Sequence, residues 1–124
     1  NFKTRNKIEE EKLDVTLSDG AKVKLDVSVK ELNSDFSSGS KGELYGSTDY
    51  LKILGGSGTI IKANNLKAQE CRINASSGCV AHVNVNGKLY VNATTGSMIH
   101  YSGDPEMENI EVSNDSKIKE KNKN

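Results

Sequence analysis

Tryptophan is absent, proline occurs once and cysteine twice in these 124 residues, and aromatic side chains make up only 5%. Hydrophobic residues stand at 34%, below the globular average, so a compact sandwich or helical bundle would lack the large apolar side chains that close its core. Neither charge sign is in excess: 17 Lys and Arg balance 17 Asp and Glu. That removes the basic surplus used to hold nucleic acid or anionic membrane, and no nucleic-acid partner is expected. No apolar run approaches the length of a membrane span or a signal-peptide core, so no direct membrane insertion is expected either.

Recognisable chemistry is also missing. There is no phosphate-binding glycine loop, no serine in a glycine elbow with His and Asp partners, and no cluster with metal-ligand spacing. The sequence predicts no catalytic residue, no metal, no cofactor and no enzyme. A polysaccharide-acting enzyme needs paired acids, whereas Asp14, Asp35, Glu43 and Asp49 are scattered. The chain opens on Asn rather than Met, which reads as a processed or excised chain. Two cysteines do not decide the redox compartment.

What the sequence does hold is a repeat. Leu89 to Gly96 is apolar at its first and third positions, then small and polar, then glycine at its eighth. The same pattern runs Leu13 to Gly20, Leu32 to Gly39, Leu51 to Gly58 and Cys71 to Gly78, with a degenerate copy from Ile110 to Lys117. Successive copies start 19, 19, 20, 18 and 21 residues apart. Apolar residues two apart mark a half-buried strand, and a second alternation after each glycine marks another. Helical spacing is absent, and a fixed glycine column at one period favours stacked turns over a sandwich. The expected fold is therefore all-β, a parallel β-solenoid of about six turns with a period near 19–20 residues. Turns stacked about 4.8 Å apart give a rod roughly 30 Å long.

Stacking assigns columns. The first apolar column is Leu13, Leu32, Leu51, Cys71, Leu89 and Ile110; the next is Val15, Ser34, Ile53, Ile73, Val91 and Val112. Asp14, Asn33, Lys52, Arg72, Tyr90 and Glu111, between the two, should face solvent. Asn74 should stack on Asn92, and Asn64 near Asn84. Residues 1–12 read as a polar N-terminal segment or cap, 13–118 as the solenoid, and 119–124 as a disordered charged tail.

The same columns supply the candidate sites. Ser57, Thr59, Ser76, Ser77, Thr94, Thr95 and Ser97, with Ser37, Ser38 and Ser40 before them, would line one corner. Regular hydroxyls there fit a glycan or ordered water, and equally fit turn capping. Ile60, Val80 and Met98 each lie two residues past a glycine, in an outward column that begins with Lys22 and Lys41; this stripe is a candidate interface for a homo-oligomer or partner. His82 and His100 are expected to be stacked neighbours facing solvent, without a third metal ligand. Cys71 and Cys79 are expected to be free, with Cys71 buried. Three Asn-x-Ser/Thr triplets, at Asn74, Asn92 and Asn114, follow the repeat and read as turn composition.

Tyr101-Ser102-Gly103-Asp104-Pro105, after the turns Ser38-Gly39-Ser40, Ser57-Gly58-Thr59 and Gly96-Ser97, resembles the head GIN domain family of auto-transporter adhesins, common in Bacteroides-type bacteria. The likeness runs over about residues 13–118, and Asn65-Leu66-Lys67-Ala68 shares it. The resemblance implies a right-handed β-solenoid and an exported location: periplasmic, cell-surface or extracellular. It also implies that the chain is a C-terminal portion of a longer domain, and it carries no catalytic residues. The expected function is a non-catalytic, adhesin-like module that binds an as yet unknown glycan, matrix component or surface protein. A structural module that assembles through the apolar stripe or an open rod end is the alternative.

Overall fold

The computed structural model describes residues 2–3, 8–112 and 116–120, with side chains from residue 11 onward. All regular structure in them is β: β1 (Phe2–Lys3), β2 (Ile8–Leu17), β3 (Lys22–Phe36), β4 (Lys41–Gly55), β5 (Ile60–Ala75), β6 (Val80–Ala93), β7 (Met98–Gly103), β8 (Glu106–Val112) and β9 (Lys117–Glu120). Every pairing is parallel, and each long strand hydrogen-bonds to the next one in sequence. Parallel neighbours joined by a four-residue corner can only be successive turns of a coil, so the chain is a β-solenoid of about six turns.

Leu13, Leu32, Leu51, Cys71 and Leu89 pair in register, as do Val15, Ser34, Ile53, Ile73 and Val91. From the second turn onward these inward residues are fully covered, while Leu13 and Val15 at the first turn are half-buried. The alternation switches parity once within β3 and once within β4, twice within β5 (at Asn64–Asn65 and Gln69–Glu70), and not between Val85 and Leu89 of β6. Val29 and Leu32 both point inward, and Lys30 and Glu31 between them both turn outward; Asp49 and Tyr50, then Gln69 and Glu70, repeat this. Two successive outward side chains bend the strand into a second corner, and long polar side chains occupy it because solvent is on that side.

The sixth copy sits two residues away from its expected register. Met107, not Ile110, pairs with Leu89; Ile110 pairs with Val91 and Val112 with Ala93, past an irregularity between Leu89 and Val91. The 21-residue spacing of this copy is thus absorbed by shifting the strand, not by enlarging the corner. Asn74 does pair with Asn92, but Asn84 pairs with Lys67, because the ladder slips between Ala63 and Lys67 and leaves Asn64 out of register. The boundary expected at 12/13 falls inside β2, and that expected at 118/119 falls inside β9. Residues 121–124 and the triplet position Asn114 lie outside the described residues.

Candidate functional site

The glycine corner is a tight turn with two consecutive left-handed residues. Gly20, Gly39, Gly58, Gly78 and Gly96 have φ of 76–82°, and the residue before each (Asp19, Ser38, Ser57, Ser77, Thr95) has φ of 42–57°. The amides of Ala21, Ser40 and Thr59 donate to the carbonyls of Ser18, Ser37 and Gly56 at 3.2–3.3 Å. This is the type I′ pattern, whose twist suits strands leaving in reversed directions. Corners are also tied to one another: Gly39, Gly58 and Gly78 donate to the carbonyls of Ser57, Ser77 and Thr95 at 2.9–3.0 Å.

This geometry splits the predicted hydroxyl set into three columns. Thr59 and Ser97 are 0% and 1% exposed and point into the core. Their assignment as ligand-binding residues is therefore corrected: the residue after a type I′ turn begins the inward column. The Ser97 hydroxyl donates to the Thr94 carbonyl at 2.8 Å, and that of Ser40 to the Ser37 carbonyl, so both cap their turns. Ser57, Ser77 and Thr95 are exposed at the apex, and Ser76 and Thr94 are half-buried on its flank.

That flank opens into a groove of about 430 Å³. Ser76 and Thr94 share it with the paired amides of Asn74 and Asn92, with Leu54 beside them and Asp35 its one ionisable side chain. Beyond Asn92 a second depression continues past Arg72, Tyr90 and Asn109, where the Arg72 guanidinium lies 4.5 Å from the Tyr90 ring centre. Sequence reasoning stacked the two asparagines but did not join them to the hydroxyls. The signal was their spacing: both amides lie two residues before the corner hydroxyl.

Other candidates resolve as follows. Ile60, Val80 and Met98 form one paired column and are half-buried. His82 pairs with His100, and both are half-buried instead of fully facing solvent. Cys71 and Cys79 are free and both are buried. Burial pushes the Cys71 thiol well above its usual range and raises that of Cys79, against which a hydrogen bond with the Thr59 hydroxyl favours the Cys79 thiolate. One acid pair was missed. A hydrogen bond with Glu106 raises the Glu108 carboxyl above its usual range, with desolvation and the Glu106 charge adding and Lys88 opposing. Carboxyls in hydrogen-bonding contact leave no room between them for a sugar and a water, so this pair lacks the glycosidase arrangement. Among the described residues no group of three or more His, Cys, Asp or Glu could hold a metal ion. No helix among them is long and apolar enough to cross a membrane.

Comparison with known proteins places the chain in a family. The family described as "putative auto-transporter adhesin, head GIN domain" matches residues 1–105, so the chain belongs to it. The match takes in the leading segment as well as the repeats. No curated protein matches significantly. A solved structure, a "putative lipid binding protein" from Parabacteroides distasonis ATCC 8503, is similar at 23% identity with a TM-score of 0.91. The likeness covers 97% of this chain and 49% of that one; the chain thus spans about half the length of its structural relative. At this identity the likeness speaks for the shared solenoid alone.

Proposed function

We propose that the chain is a non-catalytic binding module of an exported protein, and that its ligand is a neutral glycan held in the corner groove. The observation that carries this reading is the convergence of the Asn74 and Asn92 amides with the Ser76 and Thr94 hydroxyls beside Leu54. An amide both donates and accepts, as a sugar hydroxyl does, and an apolar neighbour suits the C–H face of a sugar ring. The apical Ser57, Ser77 and Thr95 border the same edge. Membership of an auto-transporter adhesin family supports export and a surface role. The name of the structural relative raises lipid as a competing ligand, but a groove lined by Asn, Ser and Thr would strand polar groups against an acyl chain.

An array of neutral glycans tests this. Saturable binding is expected, weakened about tenfold or more by Asn74→Ala with Asn92→Ala, and likewise by Ser76→Ala with Thr94→Ala, with the fold intact by circular dichroism. No binding on any spot, or binding indifferent to both pairs, would sink the reading. Assembly through Ile60, Val80 and Met98 remains the second reading, because the three form an unbroken apolar ladder. It predicts a concentration-dependent mass that Val80→Lys abolishes.

A further inference from the structure

The chain carries no net charge, yet one face is strongly basic. Lys22, Lys24, Lys41, Lys62, Lys117 and Lys119 all lie on two adjacent outward columns, and all six are exposed. Among the residues of those columns whose side chains are described, Glu43, between Lys24 and Lys62, is the one acid, so six cations against one anion leave +5 with the imidazoles neutral. Asp26 and Glu120 border the face. Among the described residues none of Lys22, Lys41, Lys62, Lys117 or Lys119 makes a salt bridge; the two described bridges, Lys12–Glu31 and Lys30–Glu11, lie elsewhere. Between the lysines at its two ends, the middle of the face presents Ile60, Val80 and Met98 beside His82 and His100.

Like charges are not gathered on one face of a neutral molecule for stability, since they repel one another. The arrangement has a polymer's geometry: each turn presents its residues about 4.8 Å above the last, comparable to the advance of one sugar in an extended chain. We infer that this face binds an acidic polysaccharide lying along the solenoid axis. Its carboxylates or sulfates meet the lysines, and its ring faces rest on the Ile60, Val80 and Met98 floor. A bilayer fits less well. Those three side chains are half-buried, and among the described residues the only large apolar side chain counted as exposed is Met107, in β8 on another face. Single-stranded nucleic acid fits less well too: the rings in the two columns are the imidazoles of His82 and His100, already stacked on each other, and the neighbouring Tyr45 ring is engaged by Lys24. This site is separate from the neutral-glycan groove, and either can fail without the other.

The test titrates the full chain against polygalacturonate and dextran sulfate, with unmodified dextran, poly-dA and phosphatidylglycerol vesicles alongside. Saturable binding to one or both acidic polysaccharides is expected, and it weakens about tenfold or more as salt is raised to about 0.5 M. Lys41→Glu with Lys62→Glu is expected to weaken it about tenfold, and so is Lys22→Glu with Lys119→Glu at the ends of the face, should the first pair misfold. Lys52→Glu with Lys88→Glu, outside these columns, should leave it within about twofold. No binding to either acidic polysaccharide, equal loss in the control pair, or tighter binding to poly-dA or to vesicles would overturn the inference. Neutral-glycan binding should survive the Lys41 and Lys62 changes, which separates this face from the groove.

Discussion

The ring of Phe36 occupies the space that a side chain at Gly42 would need. A Cβ at position 42 would come 2.1 Å from Phe36 Cε2 and 2.4 Å from Cζ. Gly42 pairs with Val23 below and Ile61 above, so it interrupts an apolar inward column. The gap is filled by Phe36, the largest fully buried side chain among the described residues.

Gly42→Ala is therefore expected to destabilise the fold by about 1–3 kcal/mol through overpacking. Phe36→Leu alone costs a similar amount through the cavity it leaves. In urea denaturation the double variant should lose clearly less than the two single losses added together. Simple additivity would show that the two sites do not share that space.

Thr95 holds φ of 57°, a left-handed conformation that β-branched residues tolerate poorly. Thr95→Asn, which makes the Asn-Gly pair favoured in type I′ turns, is expected to gain about 0.5–1 kcal/mol and raise the melting temperature by a few degrees. Gly96→Ala is expected to lose about 1–2 kcal/mol. A Cβ there meets nothing within 4 Å, so backbone strain alone accounts for the loss. An unchanged or lower melting temperature for Thr95→Asn would count against the turn assignment.

The buried thiols set a pH dependence. Burial raises both Cys71 and Cys79, so the folded chain keeps protons that the unfolded chain gives up above about pH 8.5. The unfolded state then binds fewer protons, and stability falls as pH rises through that range. Both thiols should resist a soluble disulfide reagent at pH 8 and react fully in denaturant. Rapid labelling of either thiol in the native chain would contradict its burial.

The repeat was legible because stacking demands it. Leu32, Leu51, Cys71 and Leu89 recur at one period, and the structure pairs them one to one. Asn74 over Asn92 and His82 over His100 followed from the same count, the two imidazoles lying 4.7 Å apart and within 8° of parallel. Family membership could be read from the corner triplets and from Tyr101 to Pro105. The count failed where the ladder slips, at Asn64 and at Ile110, because an extra residue can be taken up at a bend or within a strand and composition does not say which.

The sequence by itself determined the solenoid, its period and its columns. A buried strip shared between turns requires the same residue class at the same place in every turn. Only the tertiary structure decided which way each corner residue points. Thr59 and Ser97 read like Ser57 and Thr95, yet two successive left-handed residues turn the chain so that the next side chain is inward. Tertiary structure also decided which columns lie side by side. It set Asn74 and Asn92 against the corner hydroxyls, and it gathered six lysines, spread from Lys22 to Lys119, onto one face of a chain whose charges sum to zero.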